Sequence, residues 1–135
     1  MPETPVFVLD SFAVLAHFQG EDRRVLALLE QAQRGECRLL LTLINLGEVI
    51  YLIERRRGLP AAQAALAAID ALPVEILPAD RDAVLAAAHI KAHFPIAYAD
   101  AFAASAAQTH QATLLTGDPE FEQLAHLLKI EWLGR

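Results

Sequence analysis

Four carboxylates interrupt apolar stretches of this chain. Asp10 closes "VFVLD", Glu48 lies between Leu46 and Val49, Asp100 sits in "FPIAYADAFAAS", and Asp118 ends "ATLLTGD". Burying an unpaired carboxylate costs several kcal/mol or forces it to stay protonated. Each acid has a simple structural reading. Asp10 and Asp100 would cap helices, Asp118 would make a Gly-Asp-Pro turn, and Glu48 would be a solvated helix charge. The chemical reading is joint: acids gathered around a hard divalent cation, which prefers carboxylate and water oxygens and does not require His or Cys. Like charges crowded in this way repel without the cation, so a bound divalent metal is expected to stabilise the fold.

Only a fold that converges on these acids makes the joint reading possible. Three short apolar runs read as buried strands: Val6–Asp10, Cys37–Thr42 and Ala112–Asp118. Pro73–Leu77 and Ile130–Leu133 are weaker fourth and fifth strands. Helical stretches lie between them: Arg23 to Arg34, Asn45 to Arg57, Ala61 to Leu72, Asp80 to His93 and Tyr98 to His110. Strands alternating with helices predict a three-layer α/β/α sandwich with a mostly parallel sheet of four to five strands. Ligands of such folds bind outside the carboxyl ends of the strands. Asp10 ends the first strand. Thr42 ends the second, with Glu48 one to two helical turns later. Thr116, Gly117 and Asp118 end the "ATLL" strand, and Asp100 opens a helix entered from a loop. All four acids therefore reach one edge of one sheet.

The remaining composition narrows the classes. The 135 residues suit a single domain over 1–135, and 55% hydrophobic content rules out disorder. No run approaches the roughly 18 apolar residues of a spanning helix, so no membrane association is expected. The opening "MPETPVFVLD" lacks a basic segment and runs into a strand pattern, so no signal peptide is expected. The lone Cys37 reads as a structural thiol and fits a reducing cytoplasm. Net charge of −6 argues against a broad basic nucleic-acid clamp. Phosphate-binding, dinucleotide and serine-hydrolase glycine motifs are missing. Asp10 is followed by Ser11 and Phe12, not by the second Asp of aspartyl phosphatases. The histidines at 17, 89, 93, 110 and 126 read as structural or surface groups, and so do Glu120 and Glu122. Arg55, Arg56 and Arg57 end the Glu48 helix as a solvated charge run or as phosphate contacts. Arg55, seven residues past Glu48, shares its face and is the possible RNA contact.

Four segments in order, "VFVLDSFAVLA", "LTLINLGEVIYLIERRRG", "IAYADAFAASAA" and "TLLTGDPEF", resemble the PIN-domain family across nearly the whole chain. The length and the Glu48 segment look most like the VapC-type ribonuclease toxin of a type II (VapBC) toxin–antitoxin pair. The resemblance implies a cytoplasmic endoribonuclease using Mg²⁺ or Mn²⁺. Asp10, Glu48, Asp100 and Asp118 would be its catalytic and metal-binding acids, and Ser11 and Thr116 the accompanying hydroxyls. It also implies an RNA substrate, a homodimer and a cognate antitoxin. The partner is expected to place an Arg or Lys near Asp10, Asp100 or Asp118. Hydrolysis of a phosphodiester needs an activated water, charge neutralisation and a stabilised leaving oxygen, all within the reach of bound divalent ions. The alternative is a PIN-fold module that binds RNA or protein without activity.

Overall fold

The computed structural model describes residues 3–20 and 22–134; Met1, Pro2, Glu21 and Arg135 lie outside them. Among the described residues five strands form, β1 Val6–Leu9, β2 Arg38–Thr42, β3 Glu75–Leu77, β4 Thr113–Thr116 and β5 Ile130–Trp132. They pair in the order β3-β2-β1-β4-β5, every pair parallel. Both weaker sequence runs are strands, at the two edges of the sheet. The helices are α1 Ser11–Gly20, α2 Arg23–Gln33, α3 Leu43–Arg57, α4 Leu59–Asp70, α5 Arg81–His93 and α6 Tyr98–Thr109.

The strand residues are apolar on both faces because helices cover both. Val8, Leu40 and Leu114 belong to one core cluster with Ala87 and Ile90 of α5 and the alanines of α6. Leu9, Leu39, Leu41 and Leu115 point the other way, against Val14, Val25, Leu28 and Val49. All seven strand residues are at most 2% exposed. Each buried leucine contributes about 1.5–3 kcal/mol. A one-residue slip would send all of them to the wrong face, so the register is firmly set.

Helix α6 explains why the chain is so rich in alanine. Every residue from Asp100 to Ala107 is buried. A helix covered on all sides must carry small side chains to let its neighbours approach. Two starts differ from the sequence expectation by about half a turn. Helix α3 begins at Leu43 and not Asn45, because the Thr42 side chain already accepts the Asn45 N–H at 3.0 Å. Helix α4 begins at Leu59, with Pro60 in its first turn, just after Gly58 turns the chain at φ 90°.

The strand order reverses at β1, with β2 on one side and β4 on the other. Helices α1 and α3 and a 3-10 turn, Pro119–Leu124, each start directly after β1, β2 and β4. Helix α6 precedes β4, so its N-terminus returns to the same edge. Four N-terminal ends therefore face the crevice at the switch point, where ligands of such sheets bind.

Candidate active site

The register builds the centre of the site. Leu9 stands opposite Leu115, which places Asp10 beside Thr116. The Asp10 carboxylate accepts the Ala13 N–H at 2.8 Å through Oδ1 and the Thr116 hydroxyl at 2.5 Å through Oδ2. Asp10 thus caps α1 and still belongs to the acid cluster; the two readings of this residue coexist. It is only 2% exposed. Burial pushes its pKa up to about 7, helped by the charges of Asp118 and Glu48. The hydrogen bonds from Thr116 and Ala13 act in the opposite direction, and burial wins.

Asp118 follows the same pattern. Its N–H donates to the Thr116 hydroxyl oxygen at 2.9 Å, and its side chain accepts the Glu120 N–H at 3.0 Å, capping the 3-10 turn. This turn sets the exposed Glu120 at the rim of the cluster. Asp100, Asp118 and Glu120 each offer an oxygen within 4.8 Å of the others. Glu120 is exposed, as its reading as a surface charge expects, and its carboxylate nevertheless joins the cluster. The signal that could have found it is the Asp-Pro-Glu spacing right after a strand end, which folds two acids onto one short turn.

Asp100 lies in the first turn of α6 but does not cap it. The N-cap position is Ala97, with no side-chain cap bond. Burial raises the Asp100 pKa to about 8, aided by the charges of Asp118, Asp10 and Glu48 and by a hydrogen bond with Glu120. Glu48, half-buried on the second turn of α3, acts on both Asp10 and Asp100 through its charge. The structure therefore gathers Asp10, Glu48, Asp100, Asp118 and Glu120 into one electrostatic unit. Among the described residues the ion pairs, Arg24–Glu131, Arg34–Glu36 and Arg38–Glu75, involve none of these five acids.

Asn45 is the second residue that sequence reasoning missed. It is fully buried. Its Nδ2 donates to the Ser11 hydroxyl at 3.1 Å and to the Ala99 carbonyl at 3.2 Å, and its Oδ1 accepts the Thr42 hydroxyl at 2.5 Å. One amide thus ties the N-terminal ends of α1, α3 and α6 together. Ser11 is engaged with Asn45 on both sides, its own hydroxyl reaching the Asn45 carbonyl at 3.4 Å. Arg55 is exposed, with its guanidinium 5.3 Å from the centre of the Tyr51 ring.

The donor set fits a hard divalent cation. It is made of carboxylate oxygens alone, three of them come close together, and two acids are raised in pKa by burial and by the neighbouring acids.

A PIN-domain family model matches residues 7–127, a span that contains every acid of the cluster. The chain belongs to the PIN-domain family. No curated protein sequence matches it. Solved structures share its PIN fold. A chain of VapBC2 from Rickettsia felis, bound to a promoter DNA fragment, aligns with a TM-score of 0.77 at 18% identity, covering 95% of this chain and 98% of that one. A chain of DNA-bound VapBC from Salmonella typhimurium gives 0.77 at 20% identity, covering 94% and 97%. VapC20 from Mycobacterium tuberculosis, a toxin that cleaves the sarcin–ricin loop, gives 0.69 at 19% identity, covering 87% and 94%. Among the described residues, no helix of this PIN domain is long and apolar enough to cross a membrane.

Proposed function

We propose that this PIN domain is a metal-dependent endoribonuclease and the toxin of a toxin–antitoxin pair. The observation that carries the reading is the convergence of Asp10, Glu48, Asp100, Asp118 and Glu120 at the switch point of the sheet. The likeness to toxin chains of VapBC type supports the cellular role.

In this reading Asp100, Asp118 and Glu120 hold Mg²⁺ or Mn²⁺ together with Asp10, and Glu48 binds the ion or orients its water. The ion supplies a water of lowered pKa and neutralises the phosphate charge. The chain's own part is positioning. Thr116 aims Asp10, the 3-10 turn aims Asp118 and Glu120, and Asn45 holds the three helix ends in register. Those helix ends add partial positive charge where an anionic phosphate arrives. Arg55, on the face of α3 that carries Glu48, contacts the RNA backbone farther out.

The cognate antitoxin, in the cytoplasm, would hold this activity in check. An apolar groove of about 310 Å³ between α1, α3 and α4 suits an apolar partner segment, with Leu15, Phe18, Leu52 and Ile53 along it and Arg56 and Arg57 at its rim. Its cation at the acids would compete with the metal. Homodimerisation belongs to the same reading and predicts twice the chain mass in light scattering at micromolar concentration.

The decisive experiment is cleavage of a mixed RNA pool with Mg²⁺ or Mn²⁺, comparing the wild type with Asp10→Asn and Asp100→Asn. Activity should fall by orders of magnitude while the circular dichroism spectrum persists. Wild-type rates in both variants would overturn the site assignment.

A further inference from the structure

At the mouth of the acid cluster stands a side chain that the proposed chemistry leaves unused. Phe12 lies two residues past Asp10 in the first turn of α1 and is 45% exposed. Its ring presses on the turn that carries Asp118. A Cβ placed on Gly117 would fall 2.3 Å from Phe12 Cε1 and 2.7 Å from Cζ. Gly117 is not among the glycines with positive φ. The backbone of the turn therefore does not demand glycine; the ring does. One side of the ring is seated on bare backbone one residue from Asp118, and nearly half of the side chain is open to solvent. Helix α1 packs on the core through Ala13 and Val14, so Phe12 is not needed there.

We propose that Phe12 is a base-stacking platform that fixes the nucleotide next to the phosphate held at the acids. The proposal rests on the ribonuclease reading above. Base and phosphate are joined through a single ribose, so any phosphate near Asp100, Asp118 and Glu120 brings a base close to Gly117. The chain as a whole is acidic, with 11 Lys and Arg against 17 Asp and Glu. Its net charge is −6, and the site itself is acidic. Counterion release, the usual source of nucleic-acid affinity, is correspondingly weak here. Stacking on an aromatic ring contributes about 1–3 kcal/mol per base and works for any base, because every base has a π-face. It also selects unpaired RNA, whose bases are free to splay onto a side chain.

The test is equilibrium binding of short unstructured RNAs carrying 2-aminopurine at successive positions, a base whose fluorescence falls when it stacks. Asp10→Asn serves as the non-cleaving background, and matching RNAs with an abasic site serve as controls. At one position the fluorescence should be quenched. Adding Phe12→Ala should abolish that quenching and raise Kd roughly 5- to 150-fold. Phe12→Trp should restore both, and RNA abasic at that position should bind all variants alike. Gly117→Ala displaces the ring and should mimic Phe12→Ala, with the double variant no worse than either single one. Unchanged Kd and quenching in Phe12→Ala would overturn the proposal. So would a loss that is equal on abasic RNA. A change in oligomeric mass without a change in RNA binding would make the ring a protein-interface anchor instead. If quenching occurs but the wild type cuts no RNA, the ribonuclease reading falls and the stacking platform stands.

Discussion

The Thr116 hydroxyl donates to Asp10 Oδ2 at 2.5 Å and accepts the Asp118 N–H at 2.9 Å. One side chain thereby fixes two acids from two neighbouring strands. Replacing it by the near-isosteric valine leaves the Asp10 oxygen and the Asp118 N–H without that partner. Thr116→Val should cost about 1–3 kcal/mol of stability, read by urea denaturation. It should also weaken Mn²⁺ binding in calorimetry, because Asp10 loses the bond that favours its charged form.

Among the described residues Asn45 has its side-chain hydrogen bonds with Thr42, Ser11 and Ala99 and not with the acids, yet it fastens the ends of α1, α3 and α6. Asn45→Ala strips partners from Thr42, Ser11 and the Ala99 carbonyl at once. Each buried group left unpaired costs about 1–3 kcal/mol. The melting temperature should therefore drop by several degrees or more, a larger fall than for Arg55→Ala at the exposed end of the same helix.

The acids give metal-free protein an unusual pH dependence. Asp10 and Asp100 titrate near 7 and 8 in the folded chain, against an ordinary 3.8. Across that window the folded chain holds protons that the unfolded chain has released. Unfolding free energy must then fall as pH rises, most steeply from about pH 4 to about pH 7, by about 1.4 kcal/mol per pH unit for one fully differing group. In EDTA, thermal denaturation at about pH 8 should give a lower midpoint than at about pH 5. Saturating Mn²⁺ binds the ionised acids and should remove or reverse this trend. A midpoint insensitive to metal at every pH would count against the site.

Glu120 separates the geometric reading of the cluster from the sequence reading. Glu120→Gln removes one of three converging oxygen charges while keeping the side-chain size. Metal affinity should fall roughly tenfold or more, with little change in stability in EDTA, because the residue itself is exposed. Equal Mn²⁺ affinity in variant and wild type would return Glu120 to the surface charges.

Much of this protein is set by local pattern alone. Continuous apolar runs fix the strands, because a sheet covered on both faces leaves no polar alternation. The alternation with helices then fixes the parallel sandwich. That in turn sends Asp10, Glu48, Asp100 and Asp118 toward one edge without any knowledge of distances. The edge strands β3 and β5 were legible only weakly, being short and partly exposed. What tertiary structure decided is which polar groups meet. Asn45 looks like an ordinary helix residue until three elements converge on it, and its partners Ser11 and Ala99 lie 34 and 54 residues away. Glu120 stays exposed, yet the 3-10 turn brings its carboxylate within 4.8 Å of that of Asp100, twenty positions earlier in the chain. The raised pKa values of Asp10 and Asp100 arise first from burial and then from the charges of neighbouring acids, Asp118 and Glu48 acting on both. Neither quantity exists along a sequence; both depend on the distances that only the packed chain sets.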